Sequence, residues 1–175
     1  MTKNKRGRES AGDMVRSLGL VMLVVVAIWF FAQPPDSDEA EVRAVDPSAD
    51  VSAFRADVPG AATPAGLPER WRATSSSLRG EPRSLRIGYV TPGERYAEYA
   101  ASTLPPAEAV EELVGGARSL DAVQVEGAPW EQYRDADGSL SLVRAYGPVT
   151  VVVGTLRATA TLDELRLLAG SLTVG

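Results

Sequence analysis

The chain has 175 residues, 45% of them hydrophobic, and a formal net charge of −5, which suits one small domain plus a membrane anchor. It contains no cysteine and no histidine, so disulfides, thiolate nucleophiles, Ser-His-Asp triads and metal sites built from thiolate or imidazole are excluded. Residues 33–175 carry 13 arginines against 21 acidic residues, and an acidic domain of this kind disfavours nucleic acid as a partner.

A basic tail and an uncharged apolar run open the chain. Residues 1–16 hold five cations and two acidic residues, and residues 17–32 carry no charge. Sixteen helical residues span about 24 Å, and snorkelling of Arg16 extends the apolar stretch to about 28 Å, close to a hydrocarbon core of about 30 Å. We therefore expect a transmembrane helix over residues 17–33. A cleaved signal peptide is the weaker alternative, because Phe30 stands where cleavage favours a small residue.

The charges on either side of the apolar run predict its orientation. Five cations precede it, whereas Arg43 is the one cation in residues 33–47. The positive-inside rule places residues 1–16 in the cytoplasm and the C-terminal domain on the outer side of the plasma membrane. The membrane, crossed once, is thus the first expected partner.

Residues 34–58 are acidic and contain prolines, which predicts a solvated stalk with a short helix near residues 51–57. The following domain, residues 59–175, begins with a Gly/Pro-rich loop over residues 59–68. Short β-favouring runs between Gly/Pro turns then predict three antiparallel strands, near residues 71–78, 84–90 and 95–101. Helix formers over residues 106–114, closed by Gly115 and Gly116, predict a helix.

Three more strands are expected: residues 122–134 as one strand kinked at a glycine, residues 140–146, and residues 149–156. The turn Asp135–Gly138 favours a hairpin, and the apolar run 149–154 favours a central strand. A capping box of Thr161 and Glu164 begins a C-terminal helix with leucines on one face. The predicted fold is α+β: an N-terminal transmembrane helix, then one domain with an antiparallel sheet of about six strands and helices on one face.

Two sets of side chains are candidates for a ligand or partner surface. The first is an arginine cluster within seventeen residues: Arg70, Arg72, Arg79, Arg83 and Arg86. It could bind an anionic envelope polymer or lipid headgroup, although a solvated sheet face is the favoured interpretation. The second is an aromatic set: Trp71, Tyr89, Tyr96 and Trp130. It could line a groove, although core packing is favoured.

The acidic pairs give no support for catalysis. They are Glu94 with Glu98, Glu111 with Glu112, and Asp135 with Asp137. Their spacing is not that of a glycosidase or an EF-hand loop, and Asp135 to Gly138 is better explained as a turn. Lysine is confined to the N-terminal tail, so the serines at 75–77 have no base on the outer side. We expect no catalytic, metal or cofactor site.

Several segments together resemble one known family. They are LPERWRATS at 67–75, IGYVTP at 87–92 with Tyr96 after it, Gly127 with Trp130 and Glu131, the strand at 149–154, and the Glu164-Leu165 and Leu168–Leu172 helix. This pattern resembles the actinobacterial membrane proteins grouped as domain of unknown function 4245, over nearly the whole chain. The resemblance implies a single-pass protein and brings no activity with it.

Three functions follow as hypotheses. The first is a non-catalytic binding or scaffold domain tethered in the cell envelope, with an envelope protein or polymer as partner. The second is an accessory subunit of a membrane protein complex that uses the transmembrane helix itself. The third, the least favoured, is a hydrolase that uses only carboxylates.

Overall fold

The computed structural model describes residues 15–16, 18–19, 21–26, 43–154 and 160–174, and the chain divides into two units, Met1–Val42 and Arg43–Gly175. In the first unit the described residues are helical, and their large apolar side chains are exposed, from 48% for Val24 to 69% for Val15. Within the described residues no helix combines the length and apolarity needed to cross a membrane. Much of the predicted span lies outside them, so the transmembrane helix stays a prediction.

The second unit contains three helices and nine strands among its described residues. In chain order they are α1 (Ser48–Asp57), β1 (Ala62–Pro64), β2 (Arg72–Arg79), β3 (Ser84–Val90), β4 (Tyr96–Ser102), α2 (Pro106–Leu113), β5 (Arg118–Val125), β6 (Ala128–Arg134), β7 (Leu140–Tyr146), β8 (Val149–Gly154), α3 (Leu162–Gly170) and β9 (Leu172–Val174).

Seven strands form one sheet in the order β2-β3-β4-β8-β7-β6-β5, and every neighbouring pair is antiparallel. Strands β2 to β4 form one meander and β5 to β8 form another. The two meet where β4 pairs with β8, from Glu98 opposite Gly154 to Ser102 opposite Thr150. The predicted antiparallel sheet and the α+β class are therefore confirmed.

The large sheet has seven strands instead of the six predicted, because residues 118–134 form two strands instead of one. The kink expected at Gly127 is a two-residue hairpin turn, in which Glu126 has φ 48° and Gly127 has φ 78°. Two successive positive φ values are typical of a type I′ turn, which reverses the chain tightly. Glutamate is uncommon in this conformation, so Gly127 was the one feature of the sequence that indicated a hairpin turn here.

One face of the sheet packs against α1 and α3. Alternate residues of β3 and β8 point to this face, since side chains on a strand alternate between its two sides. The buried residues here include Phe54 of α1, Leu165 and Leu168 of α3, and Ile87 and Val151 of the sheet, all with 0% exposure. Burying a side chain of this size stabilises the fold by about 1.5–3 kcal/mol.

Helix α2 covers the opposite face, so the prediction of helices on one face only is wrong. Val110 and Leu113 of α2 pack against Ala100, Val143 and Val152. The physical reason lies in β8, where all six residues are buried. A strand that is apolar on both faces needs cover on both faces.

The predicted stalk also needs correction at its C-terminal end, because α1 belongs to the compact unit that begins at Arg43. Phe54 is fully buried against the sheet, and Val58 is nearly so. The Val45 amide donates to the Ala73 carbonyl at 2.8 Å, which places the chain before α1 beside the edge strand β2. Both acidic residues of α1 contact the β2–β3 hairpin, since Asp50 accepts from Ser76 Oγ and Asp57 pairs with Arg83. An acidic composition therefore did not mark a solvated segment here.

A small second sheet joins β1 to β9 in antiparallel register, with Ala62 opposite Val174. The prediction of a loop over residues 59–68 missed β1, because its partner lies more than a hundred positions further on in the sequence. The Tyr99 hydroxyl of β4 donates to the Ala62 carbonyl at 2.7 Å. Burial raises the pKa of Tyr99, which keeps this hydroxyl neutral and able to donate.

The capping box of α3 is formed as predicted, and it also ties the helix to the sheet. Glu164 accepts from the Thr161 amide at 2.8 Å, while Thr161 Oγ1 accepts from the Glu164 amide at 3.3 Å. The same carboxylate accepts from Thr91 Oγ1 at 2.6 Å and from Arg95 at 3.4 Å, in the turn between β3 and β4. Partial burial, the largest influence, raises the pKa of Glu164, but these hydrogen bonds together outweigh it and lower the pKa.

Replacing Glu164 with glutamine is expected to lower the free energy of unfolding by about 1–2 kcal/mol at pH 7, because the charge-assisted hydrogen bonds are lost. Since the folded-state pKa of Glu164 lies below its ordinary 4.5, the wild-type advantage is complete above pH 4.5. It is lost as the pH falls through the folded-state pKa. Urea denaturation at pH 7 and at about pH 3 measures both effects.

Asp163→Asn is the matched control, because it removes the same charge from the same helical turn. Asp163 is 90% exposed and pairs only with Arg166 at 3.2 Å among the described residues, so the expected loss is no more than about 0.5 kcal/mol. Equal losses in the two variants would show that Glu164 acts through charge alone and not through its contacts with Thr91 and Thr161.

Candidate functional site

The structure separates the five predicted arginines along the β2–β3 hairpin. Arg70 and Arg72 lie at its open end, and Arg79 and Arg83 lie at the connecting turn, about 23 Å away at the rise of an extended strand. Arg86 lies between them on β3, opposite Ser77. The five side chains therefore do not form one continuous cationic patch.

Two of these arginines already have acidic partners within the domain. Arg83 forms an ion pair with Asp57 of α1, and Arg86 pairs with Glu98 of β4 at 3.4 Å. Arg70, Arg72 and Arg79 are exposed, and none of them forms an ion pair with another residue of the described part of the chain. The cations that remain open to an external partner thus lie at the two ends of the hairpin.

At the open end, Arg70 and Arg72 line a shallow depression of about 270 Å³ together with Thr91, Pro92 and Glu94. The sheet register creates it, because Arg72 lies opposite Val90, immediately before the turn that holds Thr91 and Glu94. That turn is held by the Thr91 amide, which donates to the Arg95 carbonyl at 2.8 Å. The two guanidinium groups of Arg70 and Arg72 lie beside this fixed turn and can bind a carboxylate or phosphate through paired hydrogen bonds.

The aromatic candidates Trp71, Tyr89 and Trp130 belong to the core, which agrees with the favoured interpretation and rules against the alternative of a ligand surface. Their exposed fractions are 8%, 6% and 1%. Trp71 meets Tyr89 edge to face with ring centroids 6.1 Å apart, and Trp130 meets Tyr146 at 5.8 Å. Burial raises the pKa of Tyr89 to about 12. An exposed groove of these three rings is not formed.

Tyr96 differs from the other aromatic candidates, because it lies half-buried on the opposite face of the sheet. Its hydroxyl donates to Glu98 at 3.1 Å and also meets Ser75 of β2. Burial, followed by the negative charge of Glu98, raises the pKa of Tyr96. Glu98 in turn pairs with Arg86, so a polar network crosses the first three strands of the sheet.

Gly88 makes this network possible. A Cβ atom at this position would lie 2.5 Å from Ser75 Oγ and 2.6 Å from the Tyr96 hydroxyl oxygen. The members of the network come from three strands, so no single stretch of sequence shows it. The i, i+2 spacing of Tyr96 and Glu98, which places both on one face, was the available signal.

The remaining acidic candidates do not gather into a site. Asp135 accepts a hydrogen bond from the Ser139 amide at 2.8 Å, which is the turn role that its sequence favours. Glu111 and Glu112 are exposed on α2. Among the described residues, no group of three or more acidic side chains is arranged to hold a metal ion.

Gly88→Ala is expected to lower the free energy of unfolding by about 1–3 kcal/mol, because the methyl group displaces Tyr96 and Ser75 from their contact. Gly80→Ala is the control, since a Cβ atom there would meet nothing within 4 Å. Its expected change is within about 0.5 kcal/mol. Thermal denaturation of both variants measures the difference, and similar melting temperatures would contradict the assigned role of Gly88.

Comparison with known proteins points to a single family. No curated protein and no solved structure matches the chain significantly. The family model described as Protein of unknown function (DUF4245) matches residues 6–172, which is almost the whole chain. The chain therefore belongs to the DUF4245 family of proteins of unknown function.

Proposed function

We propose that this protein is a membrane-tethered, non-catalytic binding domain of the cell envelope. The N-terminal segment would cross the plasma membrane once with residues 1–16 in the cytoplasm, and the unit from Arg43 onward would face outward. The basic tail and the uncharged run at 17–32 support this orientation. The exposed apolar helix at the described positions from 15 to 26 supports burial of this segment in lipid or against another membrane helix.

The observation that carries the binding role is the pair of guanidinium groups at the open end of the β2–β3 hairpin. Arg70 and Arg72 flank the depression of about 270 Å³ and have no acidic partner among the described residues. The antiparallel register fixes the backbone at Arg72 beside the hydrogen-bonded turn, whereas both exposed side chains are ordered only on binding. The partner class that fits is an envelope protein or polymer bearing carboxylate or phosphate groups.

An accessory subunit of a membrane protein complex is the alternative. The exposed apolar side chains of residues 21–26 favour it, because such a helix can pack against other helices in the membrane. In that case the N-terminal segment makes the specific contact, and the outer domain has a secondary role.

The orientation can be tested with cysteines, because the natural chain contains none and gives no labelling background. A membrane-impermeant maleimide is expected to label Gly116→Cys in intact cells and to label Thr2→Cys only after lysis. Gly116 is exposed, and a side chain there meets nothing within 4 Å, so the substitution leaves the fold intact. Labelling of both variants in intact cells, or of neither, would contradict the orientation.

The binding surface can be tested by recovering crosslinked partners from gently solubilised membranes. The double variant Arg70→Gln/Arg72→Gln is expected to weaken recovery about tenfold or more, since loss of charged hydrogen bonds costs about 1.5–3 kcal/mol each. Recovery by the wild-type protein should fall as salt is raised.

Arg79→Gln is the matched control, because Arg79 is exposed on the same strand at its far end. Its recovery of partners should equal that of the wild type. If the double variant also recovers them normally, the Arg70–Arg72 surface is not the binding site. If replacement of residues 17–32 by an unrelated apolar helix abolishes recovery, the subunit alternative is supported instead.

A further inference from the structure

A second cleft, of about 160 Å³, lies on the other half of the sheet, far along the strand order from the Arg70–Arg72 depression. It is formed by the β5–β6 turn, strands β6 and β7, and the C-terminal end of α3. Its walls include one cation, one anion and two aromatic rings. These four residues are Arg144, Glu126, Trp130 and Tyr146, and Gly170 lines the cleft beside them.

Arg144 occupies a position on β7 where the strand pattern favours an apolar residue. Leu142, two positions earlier and on the same face, is fully buried. The Arg144 guanidinium lies 4.7 Å from the centre of the Tyr146 ring and donates to the Tyr146 hydroxyl at 3.4 Å. It forms no ion pair with any residue in the described ranges. Apart from the bond to Tyr146, this half-buried guanidinium makes no side-chain hydrogen bond to the described residues, so it can bind an anionic group.

Glu126 occupies a position in the hairpin turn where the backbone favours asparagine, aspartate or glycine. Its φ of 48° lies in the left-handed region, which glutamate adopts at an energetic cost. Its carboxylate lies over Gly170, where a Cβ atom would be 3.1 Å from Glu126 Oε1. The turn geometry does not account for a glutamate here, whereas a role for its charge in the cleft does.

Arg144 and Glu126 line the same cleft, yet no ion pair joins them among the described contacts. The cleft thus holds two opposite charges that do not form an ion pair with each other. This arrangement fits a ligand that carries a negative and a positive charge close together. A carboxylate on the ligand would lie against Arg144, and an ammonium group would lie against Glu126. The half-buried ring of Tyr146 would contact the apolar part of the ligand, and Trp130, which is 1% exposed, packs beneath it with ring centroids 5.8 Å apart.

We propose that this cleft binds a free amino acid with a small side chain, through its α-carboxylate at Arg144 and its α-ammonium at Glu126. The volume of about 160 Å³ suits a ligand of this size. The site is independent of the proposed partner surface at Arg70 and Arg72, since it lies in the other half of the strand order and uses different residues. It gives the domain a small-molecule ligand in addition to its macromolecular partner.

The test follows the indole ¹H–¹⁵N signals of the full-length protein in detergent micelles, labelled with ¹⁵N-tryptophan. The chain has three tryptophans, and the signals can be assigned with Trp29→Phe and Trp71→Phe variants. Alanine is expected to shift the Trp130 signal in a saturable way in the millimolar range, as suits so small a ligand. Acetate, methylammonium and N-acetylalanine each lack one of the two charges of alanine. Each should bind at least about tenfold more weakly than alanine.

Two variants test the assigned contacts. Arg144→Gln should weaken the alanine response about tenfold or more. Glu126→Gly should do the same while raising the melting temperature, because glycine relieves the left-handed conformation. If Glu126→Gly is more stable and binds alanine more weakly, the loss of binding cannot be explained by unfolding of the variant.

Arg134→Gln and Glu112→Gln are the controls, since both residues are exposed and lie outside the cleft. They should respond to alanine as the wild type does. The proposal is overturned if alanine gives no saturable shift of Trp130, if N-acetylalanine binds as well as alanine, or if Glu126→Gly leaves the response unchanged.

Discussion

The pairing of β4 with β8 is the interaction on which the rest of the domain depends, because it joins two meanders that are distant in sequence into one sheet. All six residues of β8 are buried, so this strand requires apolar cover on both faces. Helix α3 supplies the cover of β8 on one side, and α2 supplies it on the other, while α1 packs against β2 and β3. The positions of α2 and α3 therefore follow from the composition of one strand.

Both candidate sites lie at the edges of the sheet surface that the helices cover. The Arg70–Arg72 depression is formed by a turn at the open end of the first meander, and the Arg144 cleft is formed beside the C-terminal end of α3. The centre of the sheet is filled by side chains such as Tyr99 and Val151, which leave no room for a ligand. A core this small can thus support two peripheral sites without losing the contacts that hold the sheet together.

The candidate sites were only partly predictable. The local charge run at 70–86 drew attention to the arginines, but spacing along the chain could not show that Asp57 neutralises Arg83. The Arg144 cleft was missed altogether, because its two charged groups come from a turn misread as a strand kink and from an isolated arginine in an apolar strand. Side chains contributed by separate strands produce no pattern within a single stretch of sequence.

The sequence by itself determined the α+β class, the first meander, the capped C-terminal helix and the family, since turns, alternation and capping are local properties. Only the tertiary structure decided that α1 belongs to the domain, that helices cover both faces and that β1 pairs with β9. It also decided which charges stay unpaired. These outcomes depend on contacts between residues far apart in the chain, and such contacts are chosen by the packing of the whole core rather than by any one segment.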